Sequence, residues 1–452
     1  MHTIKKENTF VYDIIAGLTV SFAALSLGAA FGTMSGRGAF AGMVGAAIIP
    51  IITSIFGGTR LQASGPTAPM TAVSALVVAF AYESFPDKII AEQFITLIFL
   101  LNAVFLIVLG ILRIGQYIKY VPQVIILGFM NGIGLLIWFD QIKRLFGLGD
   151  KTQIGGSLWT NIFIALATLS TIYLIPIILK KLGLSENIRK YIPSMFVTII
   201  LATVVTTLLN TEIEHVSLGN SINSFSEFWT TIKNYFPGNP QLYTVDILKQ
   251  ALPFALQLTL LAYLDSLLTS LVVDNMTKEK TKQDKELIAQ GLANGLSAIA
   301  QGIPGAQATI RSVLLLKEGA KTRLAGIMVG VFALLGFLVF SKYIVMITSA
   351  VFVGVLFKAG LDVVDRDFVI AYVKNNWKTN KLRNIQLFFI IYSTLVTVFI
   401  DLNVAVVTGT IMFFIAKKYM SITDAEEDFS VVESEYLQEQ IIKLYAYIKP
   451  SF

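Results

Sequence analysis

The sequence predicts an all-α polytopic membrane protein of fourteen transmembrane segments in a 7+7 inverted repeat. Three observations carry that prediction. Of the 452 residues, 55% are hydrophobic and 14% charged, with a mean hydropathy of +0.71; soluble domains carry about a quarter charged residues. Stretches such as 160–179, 193–209, 324–340 and 385–400 run for a helix-span with few or no charges, as a hydrocarbon core of about 30 Å demands. Two Pro-Gly interruptions, Ser64 to Thr71 and Ile303 to Arg311, break apolar regions at corresponding places of the two halves.

In chain order, segments are expected near 12–35, 39–56, 66–81, 92–114, 122–139, 160–180 and 193–210. A polar stretch over 211–246, with Glu212, Glu214 and Glu227, separates them from the second set. That set runs 247–273, 286–301, 308–316, 324–341, 343–358, 385–400 and 402–418. From Ile14 to Pro66 is 52 residues and from Ile247 to Pro304 is 57. Similar spacing points to an internal repeat, and an odd number of segments per half inverts it. The third and tenth segments follow Gly65-Pro66 and Pro304-Gly305 and read as half-helices. In lipid, freed backbone amides are tolerated only where protein buries them or they line a cavity. Glycines 17, 28, 32, 36, 38, 42 and 45 crowd the first two segments, which lets helix backbones approach closely.

Lys and Arg collect at 113–119, 180–190, 278–285, 317–323, 374–383 and 417–418. With the N-terminus inside, all six clusters fall on the cytoplasmic side and the 211–246 stretch falls outside. The expectation is a multi-pass protein of the plasma (inner) membrane with both termini cytoplasmic. Asp140, Lys143 and Arg144 dissent, since their loop would face outward. The basic clusters punctuate apolar spans, so they record topology, and no nucleic-acid partner is expected. No cleavable signal is evident near the N-terminus, and the absence of Cys excludes disulfides and thiolate metal sites within the chain. Residues 359–384 read as an amphipathic cytoplasmic connector. Past Lys418 an acidic linker, Thr423 to Asp428, leads to a strand-like alternation over 441–448.

The strongest chemical signal is Asp265, within Leu260 to Ser270. An ionisable residue inside a span costs about 2.5–3.5 kcal/mol on insertion scales, so a functional partner is the default expectation. Thr269 lies four residues on, on the same helix face. Carboxylate, hydroxyl and carbonyls from an unwound segment offer an all-oxygen cage for a hard cation. The competing reading places Asp265 at the cytoplasmic end, simply hydrated.

The starts of the third and tenth segments, at Thr67-Ala68 and Ala308-Thr309, form a second candidate locus. Helix N-termini leave free N–H groups and a partial positive charge, suited to an anion. Thr67 and Thr309 add hydroxyls, which can also cap their helices. Arg311, one turn into the tenth segment, suits either of two roles: raising the potential around an anion, or pairing with a carboxylate. His2 is terminal and His215 lies in the polar stretch, so no histidine relay is available. No Walker pattern, zinc spacing or nucleophile–base arrangement is present, so an enzyme reading has no residues to carry it.

At these residues the chain resembles the sulfate permease family of anion transporters. Asp13 to Val20 is similar to the family's opening motif, Ser64 to Thr71 to that of its third helix, and Asn275 to Arg323 to its ninth and tenth helices. The last stretch includes Glu286 to Asn294 and Gly319 to Arg323. The resemblance covers about 10–420. It implies a transporter domain over 1–418, with core helices over 12–116 and 247–341 and gate helices over 121–210 and 343–418. It also implies a homodimer in a lipid bilayer and a following cytoplasmic STAS domain. Residues 419–452 would then be a linker and that domain's first strand, cut short.

Within the family, Asp265 to Asn275, Gly360 to Asp365 and Thr397 to Leu402 look most like the sodium-dependent bicarbonate transporters of the cyanobacterial type. That resemblance implies sodium as the coupling ion, held by Asp265, Thr269 and the backbone around Gln307 and Ala308. It gives Thr67, Ala68, Ala308 and Thr309 to a small inorganic anion, bicarbonate first and sulfate second. No cofactor is implied. The alternatives are a proton-coupled symporter or exchanger for sulfate or a dicarboxylate, and an uncoupled anion channel. Three departures stand out: Gln307 where those relatives usually have Gly, Ser26 where the family commonly has Pro, and Leu315 where it often has Asn.

Overall fold

The computed structural model describes residues 9–149, 153–183, 194–208, 213–216, 225–344, 346–364, 368, 370, 372, 381–400 and 402–419. The predicted linker and strand beyond 419, both termini and half of the 359–384 connector lie outside the described residues. The first half supplies α1 (Thr9–Met34), α2 (Ala39–Phe56), α3 (Ala68–Ser84), α4 (Lys88–Ile111), α5 (Gln123–Phe146), α6 (Leu158–Lys181) and α7 (Ser194–Leu208). After α8 (Phe225–Tyr235) come α9 (Val245–Thr277), α10 (Gln283–Ile299), α11 (Thr309–Lys317), α12 (Arg323–Ile344), α13 (Ser349–Val363), α14 (Lys381–Phe399) and α15 (Leu402–Tyr419). Each expected segment has a helix, and six of the described helices are long and apolar enough to cross a membrane.

The differences are local. Gln93 Nε2 donates to the Asn234 carbonyl at 2.7 Å, tying α4 to α8, a helix that the polar character of 211–246 concealed. In α3, expected as a half-helix, 17 residues run to Ser84, a rise of about 25 Å. With nine residues, α11 rises only about 13 Å. Within the dissenting loop, Arg144 pairs with Glu214 of the polar stretch at 3.6 Å.

The chain divides into two compact units. One draws on residues up to Ile118 and on Ile137–Leu361. In it α1 packs on α2 and α12, and α4 on α9 and α10. The crossing of α1 and α2 needs glycine: a Cβ on Gly32 would lie 2.4 Å from the Gly38 carbonyl oxygen. Asp13 Oδ1 accepts from the Lys321 and Thr322 amides at 2.7 and 3.0 Å, and its Oδ2 from the Thr322 hydroxyl. The sequence's opening motif and its 319–323 motif thus meet, fixing the start of α1 against that of α12. Leu315, where an Asn was expected, is fully buried among Ala16, Val20 and Leu61. Ser26 turns its hydroxyl back onto the Phe22 carbonyl at 2.8 Å.

The second unit draws on Lys119–Leu136 and the described residues from Asp362 onward. Its core joins Val124 and Ile125 to Phe389, Ile390 and Phe413. Gly128 lets α5 close on α14, where Thr394 Oγ1 donates to the Gly128 carbonyl at 3.0 Å.

Candidate functional site

The two Pro-Gly interruptions meet in the first unit. Ser64–Gly65 (β1) pairs antiparallel with Ala306–Gln307 (β2), Ser64 opposite Gln307 and Gly65 opposite Ala306. Two-residue strands leave no period in a sequence, so this ladder was not legible beforehand. It satisfies backbone groups that a broken helix would leave bare in lipid. Gly65 has φ of +146°, and a Cβ there would lie 2.8 Å from Arg311 Nη1. Gly305 is tighter still, with its Cβ position 2.2 Å from the Gly65 carbonyl carbon and oxygen. Asn294 clamps Gly305 from the other side, donating to its carbonyl at 3.0 Å and accepting from its amide at 2.9 Å.

From this crossing the chain turns into α3 and α11. The cap residues are Thr67 and Ala308, and neither start carries a side-chain cap. The Thr67 hydroxyl therefore does not serve as the helix cap that the sequence left open. Ala68 begins α3 fully inside the protein, while Ala308 and Thr309 are half-buried. The Ala308 amide donates to the Ala63 carbonyl at 3.3 Å, and Ser312 Oγ accepts from the Ala63 amide at 3.1 Å.

Across from the crossing runs α9. Asp265 is 7% exposed and Thr269 1%, so Asp265 is not the hydrated end-residue that the competing reading required. Thr67 faces the Asp265 carboxylate, and Arg311 lies within electrostatic reach of it. Asp265 Oδ2, Thr67 Oγ1 and Arg311 Nη1 are all buried, and none makes a hydrogen bond of good geometry among the described residues, although Thr67 and Asp265 lie close enough to interact. Buried polar atoms are ordinarily satisfied, and each exception calls for an explanation. An anion acceptor, a hydroxyl and a guanidinium donor left open together suit ligands of both signs.

Arg311 follows neither sequence role fully. Its Nη2 donates to the Pro66 carbonyl at 2.8 Å, bracing the approach to α3. It belongs to none of the ion pairs found among the described residues. Thr269 Oγ1 and Thr309 Oγ1 lie 2.6 Å apart, joining the two candidate loci directly. The Gln307 amide donates to Ser266 Oγ at 3.2 Å, a contact that a lone Ser in a span did not announce. The Gln307 side chain reaches Thr59, whose hydroxyl donates to Oε1 at 3.4 Å.

A buried polar face of α10 holds β1 from behind. Glu286, Gln290 and Asn294 recur every four residues and are wholly buried. Gln290 Nε2 donates to Ser64 Oγ at 2.7 Å, and Ser64 donates to Gln62 Oε1 at 3.0 Å. Their spacing was visible in the sequence, but it equally describes a solvated helix face.

A family model described as the sulfate permease family matches residues 10–394. The bicarbonate transporter BicA of a Picosynechococcus species is 30% identical over 94% of this chain and 74% of its own length. The solved transmembrane domain of a cyanobacterium bicarbonate transporter BicA superposes with a TM-score of 0.73 at 28% identity, covering 88% of this chain and 98% of that one. The murine anion transporter Slc26a9, in its inward-facing state, shares the fold at a TM-score of 0.72 and 18% identity, over 93% of this chain and 70% of that one. The fold, the joined motifs and these matches lead to one conclusion: the chain belongs to the sulfate permease family and is a membrane anion transporter.

Proposed function

We propose that the chain couples sodium entry to bicarbonate uptake by alternating access. The carrying observation is the set of open polar atoms at the β1–β2 crossing: Asp265 Oδ2, Thr67 Oγ1 and Arg311 Nη1. Sodium is held by Asp265, Thr269 and the backbone at Gln307 and Ala308. The anion sits between the starts of α3 and α11, taking Thr67, Ala68, Ala308 and Thr309. Both helices begin inside the membrane, related by the inverted repeat of two seven-segment halves. Core helices α1–α4 and α9–α12 carry the site and move against gate helices α5–α7 and α13–α15, in a homodimer whose termini are cytoplasmic.

The coupling is electrostatic. A buried carboxylate without sodium disfavours an anion beside it, and sodium removes that repulsion. The name and 30% identity of the BicA relative support bicarbonate.

One observation favours a second reading. The fully buried Arg311 guanidinium, with Nη1 open, suits a divalent anion such as sulfate, with Asp265 carrying a proton in place of sodium. Radiolabelled bicarbonate and sulfate uptake into proteoliposomes, with and without an inward sodium gradient at fixed pH, decides between them. Sodium stimulation confined to bicarbonate supports the first reading. Sodium-indifferent uptake that follows a proton gradient moves the assignment to the second.

A further inference from the structure

Behind the crossing lies a second wholly buried carboxylate, Glu286, in the first turn of α10. Its Oε2 accepts from the Thr59 amide at 2.9 Å and from Gln62 Nε2 at 3.1 Å, and its Oε1 from Gln290 Nε2 at 3.3 Å. All of these donors are neutral. No Lys or Arg forms an ion pair with Glu286 among the described residues. Arg323, in the same region, is engaged by the Ser54 and Thr59 carbonyls. The loop is shaped around the carboxylate, since a Cβ on Gly57 would lie 2.8 Å from Oε2.

Two short bridges lead from this cage to β2. Thr59 donates its amide to Glu286 and its hydroxyl to Gln307 Oε1. Gln290 donates to both Glu286 and Ser64, and Ser64 pairs with Gln307. A neutral glutamine at 286 could accept the same amide bonds, so holding the loop does not by itself require a charge. Among the described residues, every hydrogen bond at Glu286 is accepted by a carboxylate oxygen and none is donated by it, the pattern that suits an ionised carboxylate. An ion buried without a countercharge is costly, and that cost calls for a use.

We propose that Glu286 is a positioning residue whose fixed negative charge draws the coupling cation to Asp265, Thr269 and the Gln307 backbone. The proposal rests on the sodium reading above. The same charge disfavours an anion that arrives alone, so Glu286 and Asp265 together impose an order: cation first, anion second. Its field acts through neutral dipoles and protein, where screening is weaker than in water.

The test is sodium titration of bicarbonate uptake by the full chain in proteoliposomes. Glu286→Gln keeps an acceptor for Thr59 and Gln62. Gln290, whose Oε1 is without a partner, can turn its amide to accept from the new NH2, and Ser64, which now donates to Gln62, can swing its hydroxyl to donate to the turned Gln290 oxygen. The expected result is a rise of about tenfold in half-saturating sodium, with turnover at saturating sodium within about twofold. Glu286→Asp keeps the charge and disturbs the geometry, so half-saturating sodium stays near wild type while turnover falls. Wild-type half-saturation in Glu286→Gln overturns the proposal. Should that variant not fold, Glu286→Asp decides: weakened sodium affinity with the charge retained also overturns it. Wild-type uptake indifferent to sodium is a separate result, and it removes the underlying coupling reading instead.

Discussion

The hydroxyl oxygens of Thr269 and Thr309 are 2.6 Å apart, and this contact links the helix of the candidate cation set to the helix start of the candidate anion set. Each hydroxyl has one proton to donate. If the Thr269 oxygen ligates sodium, its proton must point away from the cation, toward Thr309. Thr309 then accepts, and its own proton is free for an anion. One hydrogen bond thereby transmits cation occupancy to the anion locus.

That arrangement predicts non-additivity. Thr269→Val and Thr309→Val should each raise half-saturating bicarbonate, and the double variant should be better than the sum of the two. A coupling energy of about 1 kcal/mol, or roughly fivefold, is expected for one such bond. The measurement is bicarbonate half-saturation at high sodium in the four corners of the cycle. Additive effects would break the link. Thr309→Ser, which keeps the hydroxyl, should behave as wild type.

Asp265→Asn should abolish sodium stimulation while leaving the protein folded. The variant removes a buried charge whose Oδ2 makes no hydrogen bond of good geometry. It relieves the burial of one carboxylate while Arg311 loses the charge facing it, so the melting temperature in detergent should stay near wild type. Sodium stimulation of bicarbonate uptake should fall by at least about tenfold, since a unit charge beside a cation is worth several kcal/mol at an effective dielectric of about 20. Sodium-stimulated uptake at the normal rate would remove Asp265 from the coupling mechanism.

How much of this was legible follows from what each residue has to do. Asp265 stood out because a carboxylate in an apolar run is costly whatever its rotamer. Thr67 and Thr309 stood out because Pro and Gly beside them break a helix. Arg311 did not resolve, since its two roles differ only in where the guanidinium points, and the Pro66 carbonyl takes part of it. Ser266 was invisible because hydroxyls in spans commonly bond their own helix, whereas this one accepts from Gln307. Glu286, Gln290 and Asn294 carry no more than the family motif in the sequence, because i, i+4 spacing gives a face without saying what covers it.

Gly305→Ala should disrupt the site through its backbone. The new Cβ would meet the Gly65 carbonyl at 2.2 Å, and both Asn294 hydrogen bonds oppose any retreat. A clash of backbone with backbone cannot be relieved by a rotamer, so the expected cost is about 2 kcal/mol or more. Thermal unfolding in detergent should show a clear drop, together with loss of uptake. Gly295→Ala is the control, because its Cβ would stand 3.3 Å from a single methyl, Ala103 Cβ; it should change little. Equal stability of the two variants would mean that the crossing yields to an added methyl despite the Asn294 clamp.

Gln307 stands where the resemblance implies a glycine, and its side chain reaches Thr59. Its Oε1 contact there is long, at 3.4 Å, and its Nε2 is buried without a partner. In the proposed cation set Gln307 contributes its backbone, which the amide bond to Ser266 Oγ at 3.2 Å steadies. Side chain and backbone therefore separate by mutation. Gln307→Ala should keep half-saturating sodium within about twofold, because it removes one weak contact and one unsatisfied donor. Ser266→Ala leaves the Gln307 N–H unpaired in a buried strand and should raise half-saturating sodium about fivefold, the equivalent of one hydrogen bond of about 1 kcal/mol. Sodium titration of bicarbonate uptake reads both variants in the same units. If Gln307→Ala proves the more damaging of the two, the amide side chain itself ligates the cation, and the departure at this position is a change of coordination and not of packing.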